Sequence, residues 1–205
     1  MNEPDYGTYH HSSRENSEKL REEVKTMSNA TFERLRIDRN KPLSILDVGC
    51  GNGFILSLGA LFFPKSLLTG IDPFSGGSLH GSSLSMSRRN MDILGMCERT
   101  TIIEADLLND KLWQGRFDLI VSNLVLHNLG RRRFQAYRII GDMLKSNGYF
   151  INVDLFLQTS AHSDMFLHDM KSVGELFRVE FTIEPTSQSI SFMKYYRLVG
   201  FRKFI

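Results

Sequence analysis

The sequence predicts an α/β protein with a doubly wound sheet and a three-layer α/β/α architecture. Three observations support this fold class. Short apolar segments alternate with helical patterns from residue 43 onward, a glycine-rich turn follows the first of these segments, and the last residues are rich in aromatic and β-branched side chains. Alternating strands and helices favour a parallel sheet with right-handed crossovers, and a closing hairpin favours an antiparallel strand at its edge.

The composition is typical of a globular protein. The chain has 205 residues, of which 41% are hydrophobic and 23% charged, and a net charge of +2 that gives no support to a polynucleotide partner. Its two cysteines are too few for a disulfide framework and fit a reducing compartment. The longest apolar run, residues 54–64, is shorter than the roughly 20 residues of a membrane span, and residues 1–13 lack the pattern of a secretion signal. We therefore expect a cytoplasmic protein without membrane contact.

The first 42 residues differ in composition from the rest, so we divide the chain into a helical or lid segment, 1–42, and a ligand-binding domain, 43–205. Apolar residues at helical spacing predict a thin amphipathic helix over residues 17–27. Before it, residues 6–11 combine tyrosines and histidines. This stretch is expected either to close over a site as a lid or to be an unstructured polar terminus.

The elements of the second segment follow in order. The first strand, Ser44–Val48, runs into a glycine turn at 49–53, and an apolar helix then extends to the stop at Pro64. Further strands are predicted at 67–71, 101–103, 117–121, 149–153 and 179–183, and helices at 85–95, 131–145 and 166–177. A loop is predicted at 74–83 and a closing hairpin at 191–205.

The glycine turn is the first candidate for a ligand site, because ligands of such sheets bind beyond the carboxyl ends of the strands. Gly49, Gly51 and Gly53 allow positive φ angles and a close approach of the backbone, and the following helix points its free N–H groups into the same space. Such turns are also common structural devices. The pattern alone therefore leaves both interpretations open.

Three acids strengthen the functional interpretation. Asp47 lies near the end of the first predicted strand, Asp72 follows the second about 20 residues after the turn, and Asp106 follows the third. An acid at that separation can accept hydrogen bonds from both hydroxyls of a ribose. One acid at a strand end is usually a cap, but three around one glycine turn predict a nucleoside pocket.

Four segments together resemble the motif series of the class I S-adenosylmethionine-dependent methyltransferases, in order and in register between Leu43 and Asp154. They are Ile-Leu-Asp-Val-Gly-Cys-Gly-Asn-Gly at 45–53, Thr-Gly-Ile-Asp at 69–72, Glu-Ala-Asp at 104–106 and Phe-Asp-Leu-Ile-Val-Ser-Asn at 117–123. The glycine spacing suits this family better than the nicotinamide oxidoreductases, which stay a weak alternative. The resemblance implies a Rossmann-like seven-stranded sheet of order 3-2-1-4-5-7-6 with the last strand antiparallel. It also implies S-adenosylmethionine as cofactor and S-adenosylhomocysteine as product.

The resemblance further implies roles for individual residues at the cofactor. Asp47 and the backbone of Gly49, Cys50, Gly51 and Gly53 would hold the methionine part, and Asn123 would contribute there. Asp72 would bind the ribose, Pro73 and Phe74 would pack near the adenine, Asp106 would accept from the adenine amino group, and the Leu107 N–H would face a ring nitrogen. Cys50 is also expected to pack as a small hydrophobe.

The acceptor side is less clearly defined by the sequence. His127 follows the fourth strand and is a candidate base or acceptor ligand, or else tethers its loop by hydrogen bonds. The run Arg131–Arg133 would suit an anionic acceptor or RNA, or is a solvated helix start. The pair His10 and His11 has no further ligand at metal spacing, so no metal is proposed.

We predict a methyltransferase acting on a small-molecule acceptor, with the N-terminal segment and the loops after the fourth and fifth strands forming the acceptor pocket. Residues 122–125, Ser-Asn-Leu-Val, lack the Asn/Asp-Pro-Pro-aromatic run used to stack nucleobase or glutamine acceptors in the family. Two alternatives stay open. One is an RNA or protein methyltransferase, and the other is a catalytically idle protein that binds S-adenosylmethionine.

Overall fold

A seven-stranded mixed sheet lies at the centre of the structure, a computed structural model that describes residues 3–75, 77–109, 116–156, 165–186 and 195–204. Its strands are β1 Ser44–Val48, β2 Leu67–Asp72, β3 Thr100–Glu104, β4 Phe117–Asn123, β5 Leu144–Leu155, β6 Phe177–Ile183 and β7 Tyr196–Lys203. Their order is 3-2-1-4-5-7-6. Strands β1 to β5 are parallel, and β7 runs antiparallel to both β5 and β6. The predicted fold class and strand order are confirmed.

Helices cover both faces of the sheet. They are α1 Arg14–Arg34, α2 Phe54–Phe62, α3 Leu84–Ile93, α4 Arg133–Met143 and α5 Met165–Val173, with short 3₁₀ helices at Cys97–Arg99 and Leu126–Arg132. One apolar core joins α1, α2 and α3 to one face, and a second joins α4 and α5 to the other. Along β1, Ile45 belongs to the first core and Leu46 to the second, as the alternation of side chains in a strand requires. Among the described helices, none combines the length and the apolar character needed to cross a membrane.

Three element boundaries differ from the sequence-based expectations. Helix α4 ends at Met143, because Leu144 turns to extended backbone and pairs with Phe117 as the first residue of β5. Phe177, expected as the last apolar position of a helix, begins β6 and packs against Phe150 and Phe201 in the second core. The first half of the predicted closing hairpin lies largely outside the described residues, and β7 forms the rest.

The N-terminal helix is longer than predicted and begins at a defined cap. The side chain of Ser13 accepts a hydrogen bond from the backbone N–H of Asn16, which satisfies one of the free donors of the first turn. Buried apolar residues continue along α1 as far as Phe32, whose ring packs against Phe62 and Phe63 at the end of α2. Helix α1 is therefore part of the core and fixes the position of the residues that precede it.

Those preceding residues form what we call the N-terminal strap, residues 5–10, which crosses the carboxyl ends of the central strands. Two of its residues, Thr8–Tyr9, pair antiparallel with Leu79–His80, a short strand inside the segment expected to be a loop. The backbone of Asp5 exchanges hydrogen bonds with the buried amide of Asn90, and the Asn52 side chain also donates to the Asp5 carbonyl. The strap is thus attached to the glycine turn and to α3.

Candidate active site

A cavity of about 210 Å³ lies beyond the carboxyl ends of β1, β2 and β4, beneath the N-terminal strap. It combines residues of the glycine turn, the strand ends, the strap and the loop after β4. They are Tyr6, Tyr9, Asp47, Gly49, Cys50, Gly51, Asn52, Phe54, Ile55, Asp72, Pro73, Ser78, Leu79, Ser82, Asn123, Leu124, Val125, Asn128 and Leu129. Seven of the predicted cofactor residues are therefore brought together, and Gly53, Asp106 and Leu107 are not in the lining.

At two positions of the glycine turn there is no room for a side chain. Gly49 and Gly51 have φ angles of 72° and 47°, which disfavour other residues. A Cβ at Gly49 would lie 2.3 Å from Cγ2 of Val125, and one at Gly51 would lie 2.7 Å from Cδ2 of Leu79. The turn is held because the N–H groups of Gly49 and Cys50 both donate to the carbonyl of Ile71. Both glycines line the cavity, so their backbone can contact a ligand there.

Asp47 is a carboxyl group with no hydrogen-bond partner within the described part of the chain. It is 1% exposed, lines the cavity, and neither of its oxygens is bonded there. Burial, with a contribution from the charge of Asp72, raises the pKa of Asp47 to about 8, and the nearby Leu56 backbone N–H, whose geometry is not that of a hydrogen bond, offsets only part of this rise. Burying such a group without a partner is costly, so its retention points to a ligand with a cationic donor.

Asp72 lies at the end of β2, where it lines the cavity and also bonds to the glycine turn. Its carboxylate accepts hydrogen bonds from the N–H of Gly51 at 3.0 Å and from that of Phe74 at 2.7 Å. Burial raises its pKa, and these two backbone donors act against the rise. A carboxylate has about four acceptor positions, so two stay available to hydroxyl groups of a ligand. The next residue, Pro73, also lines the cavity.

Asn123 is fixed between two tyrosines at the end of β4. The hydroxyl of Tyr196 donates to its Oδ1 at 2.7 Å, and its Nδ2 donates to the Tyr9 hydroxyl at 3.1 Å. Tyr6, the second aromatic residue of the strap, donates to Oγ of Ser57 at 3.0 Å. The sequence predicts a possible lid at residues 6–11 but does not distinguish Tyr6 and Tyr9 as site residues. Their only signal was the unusual aromatic content of a polar terminus.

Three predicted cofactor residues are placed outside the cavity. Gly53 is the N-cap of α2 and has a φ of 85°. Asp106 bonds to its own turn, where its carboxylate accepts from the N–H of Leu108 at 2.8 Å and from the side chain of Asn109. Leu107 is buried in the second core. Their use by a ligand would require the cavity to extend beyond Pro73.

His127 pairs with a buried acid that the sequence pattern does not reveal. Its Nδ1 lies 2.5 Å from Oδ1 of Asp154, and its backbone N–H donates to Oδ2 of the same carboxylate at 3.0 Å. Asp154 is 2% exposed, near the end of β5. His127 itself is not in the cavity lining, although Asn128 and Leu129 are. The carboxylate fixes the ring, which leaves Nε2 as the free nitrogen.

The arginine run divides into two kinds of residue. Arg131 and Arg132 are exposed beside the loop after β4. Arg133 instead points inward and forms a two-pronged ion pair with Asp169 of α5, with distances of 2.7 to 3.1 Å. It is therefore neither solvated nor available to an anionic acceptor. Among the described residues, no group of three or more His, Cys, Asp or Glu side chains is placed to hold a metal ion.

The chain matches a known protein family and is similar in sequence to several methyltransferases. Residues 39–188 match the family described as a methyltransferase domain. A malonyl-[acyl-carrier protein] O-methyltransferase of Legionella pneumophila is 28% identical over 184 residues, which cover 82% of this chain and 60% of that protein. A release factor glutamine methyltransferase of Chlorobaculum tepidum is 36% identical over 109 residues, 50% of this chain and 35% of that protein. The chain spans less than two thirds of the length of these relatives.

Solved structures share the fold at low sequence identity. A S-adenosylmethionine-dependent methyltransferase from Aquifex aeolicus has a TM-score of 0.65 and 16% identity, covering 91% of this chain and 96% of that one. The [4+2]-cyclase SpnF has a TM-score of 0.69 and 15% identity, covering 98% of this chain and 88% of that one. These likenesses establish the architecture, and the second is named for a different reaction.

Proposed function

Because the chain belongs to the family of class I S-adenosylmethionine-dependent methyltransferases, we propose that it transfers a methyl group from S-adenosylmethionine to a small-molecule acceptor by in-line displacement at the sulfonium. The observation that carries the proposal is the unpartnered carboxyl of Asp47 in the same cavity as Asp72 and the glycine turn. One buried acid there has room for a cationic group and the other for hydroxyl groups. A nucleoside linked to an amino acid presents both.

The residues present fit this cofactor. We propose that Asp47 and the backbone of Gly49, Cys50, Gly51 and Gly53 hold the methionine part, and that Asp72 accepts from the ribose hydroxyls. The restriction to glycine at the turn supports this, because a ligand there contacts backbone rather than side chains. Asn123, which is held by Tyr196 and Tyr9, is proposed to contribute at the methionine end. Adenine recognition by Asp106 and Leu107 stays a prediction that needs a wider cavity next to Pro73.

S-adenosylmethionine supplies, when bound, a methyl group on an electrophilic sulfonium. The chain then has to orient the acceptor, and alignment of this kind contributes up to about 7–11 kcal/mol to catalysis. The strap and the loop after β4 enclose the space available for it, with Tyr6, Tyr9 and Leu129 in the lining. Enclosure by these groups also excludes water from the reacting atoms.

We propose that His127 is the general base when the acceptor arrives protonated. Asp154 holds Nδ1 and thereby directs Nε2 to take the proton, which is the arrangement expected of an oriented base. His127 lies outside the present lining, so closure around an acceptor would have to bring the loop after β4 nearer. Asp154→Asn is then expected to lower turnover while leaving affinity for S-adenosylmethionine unchanged.

The position of the site supports a small acceptor. The cavity lies under the strap and is bordered by side chains of the strap and of the loop after β4, which suits a small molecule better than a polymer. Two relatives are named as O-methyltransferases of malonyl-[acyl-carrier protein], so a carboxylate oxygen is a reasonable first acceptor to test. The glutamine methyltransferase relatives are a less suitable guide, because residues 122–125 lack the Pro-Pro-aromatic run.

Two alternatives make different predictions. An RNA or protein acceptor is favoured by exposed Arg131 and Arg132, and would require a continuous basic surface around them. A catalytically idle binding protein would bind the cofactor without turnover, and the likeness to a cyclase shows that this fold is not tied to one reaction. We also propose a cytoplasmic location, supported by the free cysteines Cys50 and Cys97.

Calorimetric titration with S-adenosylmethionine tests the proposal. We expect one site, which Asp72→Ala weakens by tenfold or more, about 1.4 kcal/mol, through loss of the ribose contacts. Asp92→Ala, at an exposed acid of α3, is the matched control and should bind like the wild-type protein. Absence of binding to the folded wild-type chain would refute the proposal. Binding of S-adenosylmethionine without formation of S-adenosylhomocysteine, when small carboxylic acids or phenols are supplied as acceptors, would favour the idle alternative.

A further inference from the structure

A buried cation behind the strap has no acidic partner. Arg21 of α1 is 7% exposed, and its Nη2 donates to the backbone carbonyl of Tyr6 at 2.8 Å and to that of Gly7. Its guanidinium carbon lies 4.9 Å from the ring centre of Tyr9 and 5.9 Å from that of Tyr6. Its Nε is buried without a hydrogen-bond partner in the described part of the chain.

The nearest acids along α1 are already engaged with other bases. Glu18 pairs with Arg14 at 3.2 Å and Glu22 with Lys25 at 3.6 Å. Among the described residues, no carboxylate lies within ion-pair distance of Arg21. Buried charges are usually paired with an opposite charge, whereas the described partners of Arg21 are two neutral carbonyls and two tyrosine rings. The position therefore suits an anionic group from outside the described chain.

Arg21 and Asp47 are oppositely charged groups on the two sides of the strap. Asp47 is a buried carboxyl without a partner, and Arg21 is a buried guanidinium without an acid. Tyr9 interacts electrostatically with both. Burial is the main cause of its raised pKa, the charge of Asp47 adds to the rise, and the charge of Arg21 opposes it. The free amino acid end of a nucleoside cofactor carries an ammonium, which could pair with Asp47, and a carboxylate, which could pair with Arg21.

Arg21 does not line the cavity, so this contact requires the strap to move. An open groove of about 820 Å³ runs along α1 past Arg21, and Tyr6 and Phe54 border both this groove and the cavity. The volume of the cavity alone is below that of small-molecule sites, which is about 300–1,000 Å³, so binding must enlarge it. Displacement of Tyr6 would join the two spaces and expose the guanidinium to the ligand.

We propose that Arg21 binds the carboxylate of the methionine part of S-adenosylmethionine, so that Arg21 and Asp47 together recognise its zwitterionic end. This rests on the proposed function, because it names a further contact of the same cofactor. The contact would also link the ligand to the strap, since the same guanidinium holds the carbonyls of Tyr6 and Gly7.

The test compares S-adenosylmethionine with its decarboxylated form, which keeps the sulfonium and the ammonium and lacks only the carboxylate. Both are titrated calorimetrically into wild-type protein, Arg21→Gln, Arg21→Lys and Arg14→Ala. Glutamine keeps an amide donor for the strap carbonyls without the charge, and lysine keeps the charge. Arg14→Ala removes an exposed arginine of the same helix, whose side chain is 76% accessible.

We expect the wild-type protein to bind S-adenosylmethionine at least tenfold more tightly than the decarboxylated form. Arg21→Gln should bring that ratio close to one, Arg21→Lys should retain part of it, and Arg14→Ala should leave it unchanged. An unchanged ratio in Arg21→Gln, with both affinities lowered equally, would assign Arg21 to the strap alone and overturn the inference. Wild-type protein that binds neither compound would instead refute the proposed function, and the inference with it.

Discussion

Lowering the pH should weaken the binding of S-adenosylmethionine through Asp47. The carboxyl has a pKa of about 8 in the free protein, so it is protonated at neutral pH and has to ionise before it can pair with an ammonium group. With that pKa, the ionised fraction falls from about one in eleven at pH 7 to about one in a hundred at pH 6. The dissociation constant should therefore rise about ninefold between pH 7 and pH 6, or about 1.3 kcal/mol.

Calorimetry in two buffers of different ionisation enthalpy, such as phosphate and imidazole, measures the proton directly. Close to one proton should be released per ligand bound at pH 7, because the ligand's ammonium forces the carboxyl into its charged form. Asp47→Asn is the control, since it should bind weakly and with no such pH dependence. A wild-type affinity that is the same at pH 6 and pH 7, with no proton released, would refute the assignment of Asp47 to the cationic group.

Three further predictions concern stability. The folded pKa of Asp47 lies above its unfolded value, so this group's contribution to stability is lost as the pH rises through about 8. In thermal scans between pH 5 and pH 8, the melting temperature of Asp47→Asn should therefore rise progressively relative to that of the wild type. Gly49→Ala should destabilise by about 1–3 kcal/mol and abolish ligand binding, whereas Gly95→Ala, with a φ of 67° and open space around it, should show only the smaller backbone strain. Arg133→Ala should cost about 3–5 kcal/mol in urea denaturation because it strands a buried carboxylate, while exposed Arg138→Ala should be near neutral.

The part of the site that could be predicted from sequence is the part built from neighbours in the chain. The glycine turn at 49–53 and the acids Asp47 and Asp72 each follow a strand directly, so a strand pattern locates them at one edge of the sheet. The boundaries that failed are set by tertiary contacts. Phe177 has helical spacing from Val173 but is drawn into the aromatic cluster with Phe150, and packing prevails over local periodicity.

The acceptor side and the strap depend on residues that are distant in sequence. Asp154 meets His127 only because β5 lies next to β4 in the sheet, and neither residue carries a local sign of the other. The ribbon of Thr8–Tyr9 with Leu79–His80 has two residues per strand, too few to show a periodic pattern. Arg21 is one charged residue in a polar helix until the fold buries it.

The strap is held in place by its main chain. Asn52 and Asn90 bond to the peptide groups of Asp5, and Arg21 bonds to two carbonyls that any residues would provide. The side chain at position 6 can therefore change without loss of these attachments, whereas Tyr9 also bonds to Asn123. Divergence or directed evolution at position 6 could thus alter the choice of acceptor while the cofactor end and the stability of the sheet are left intact.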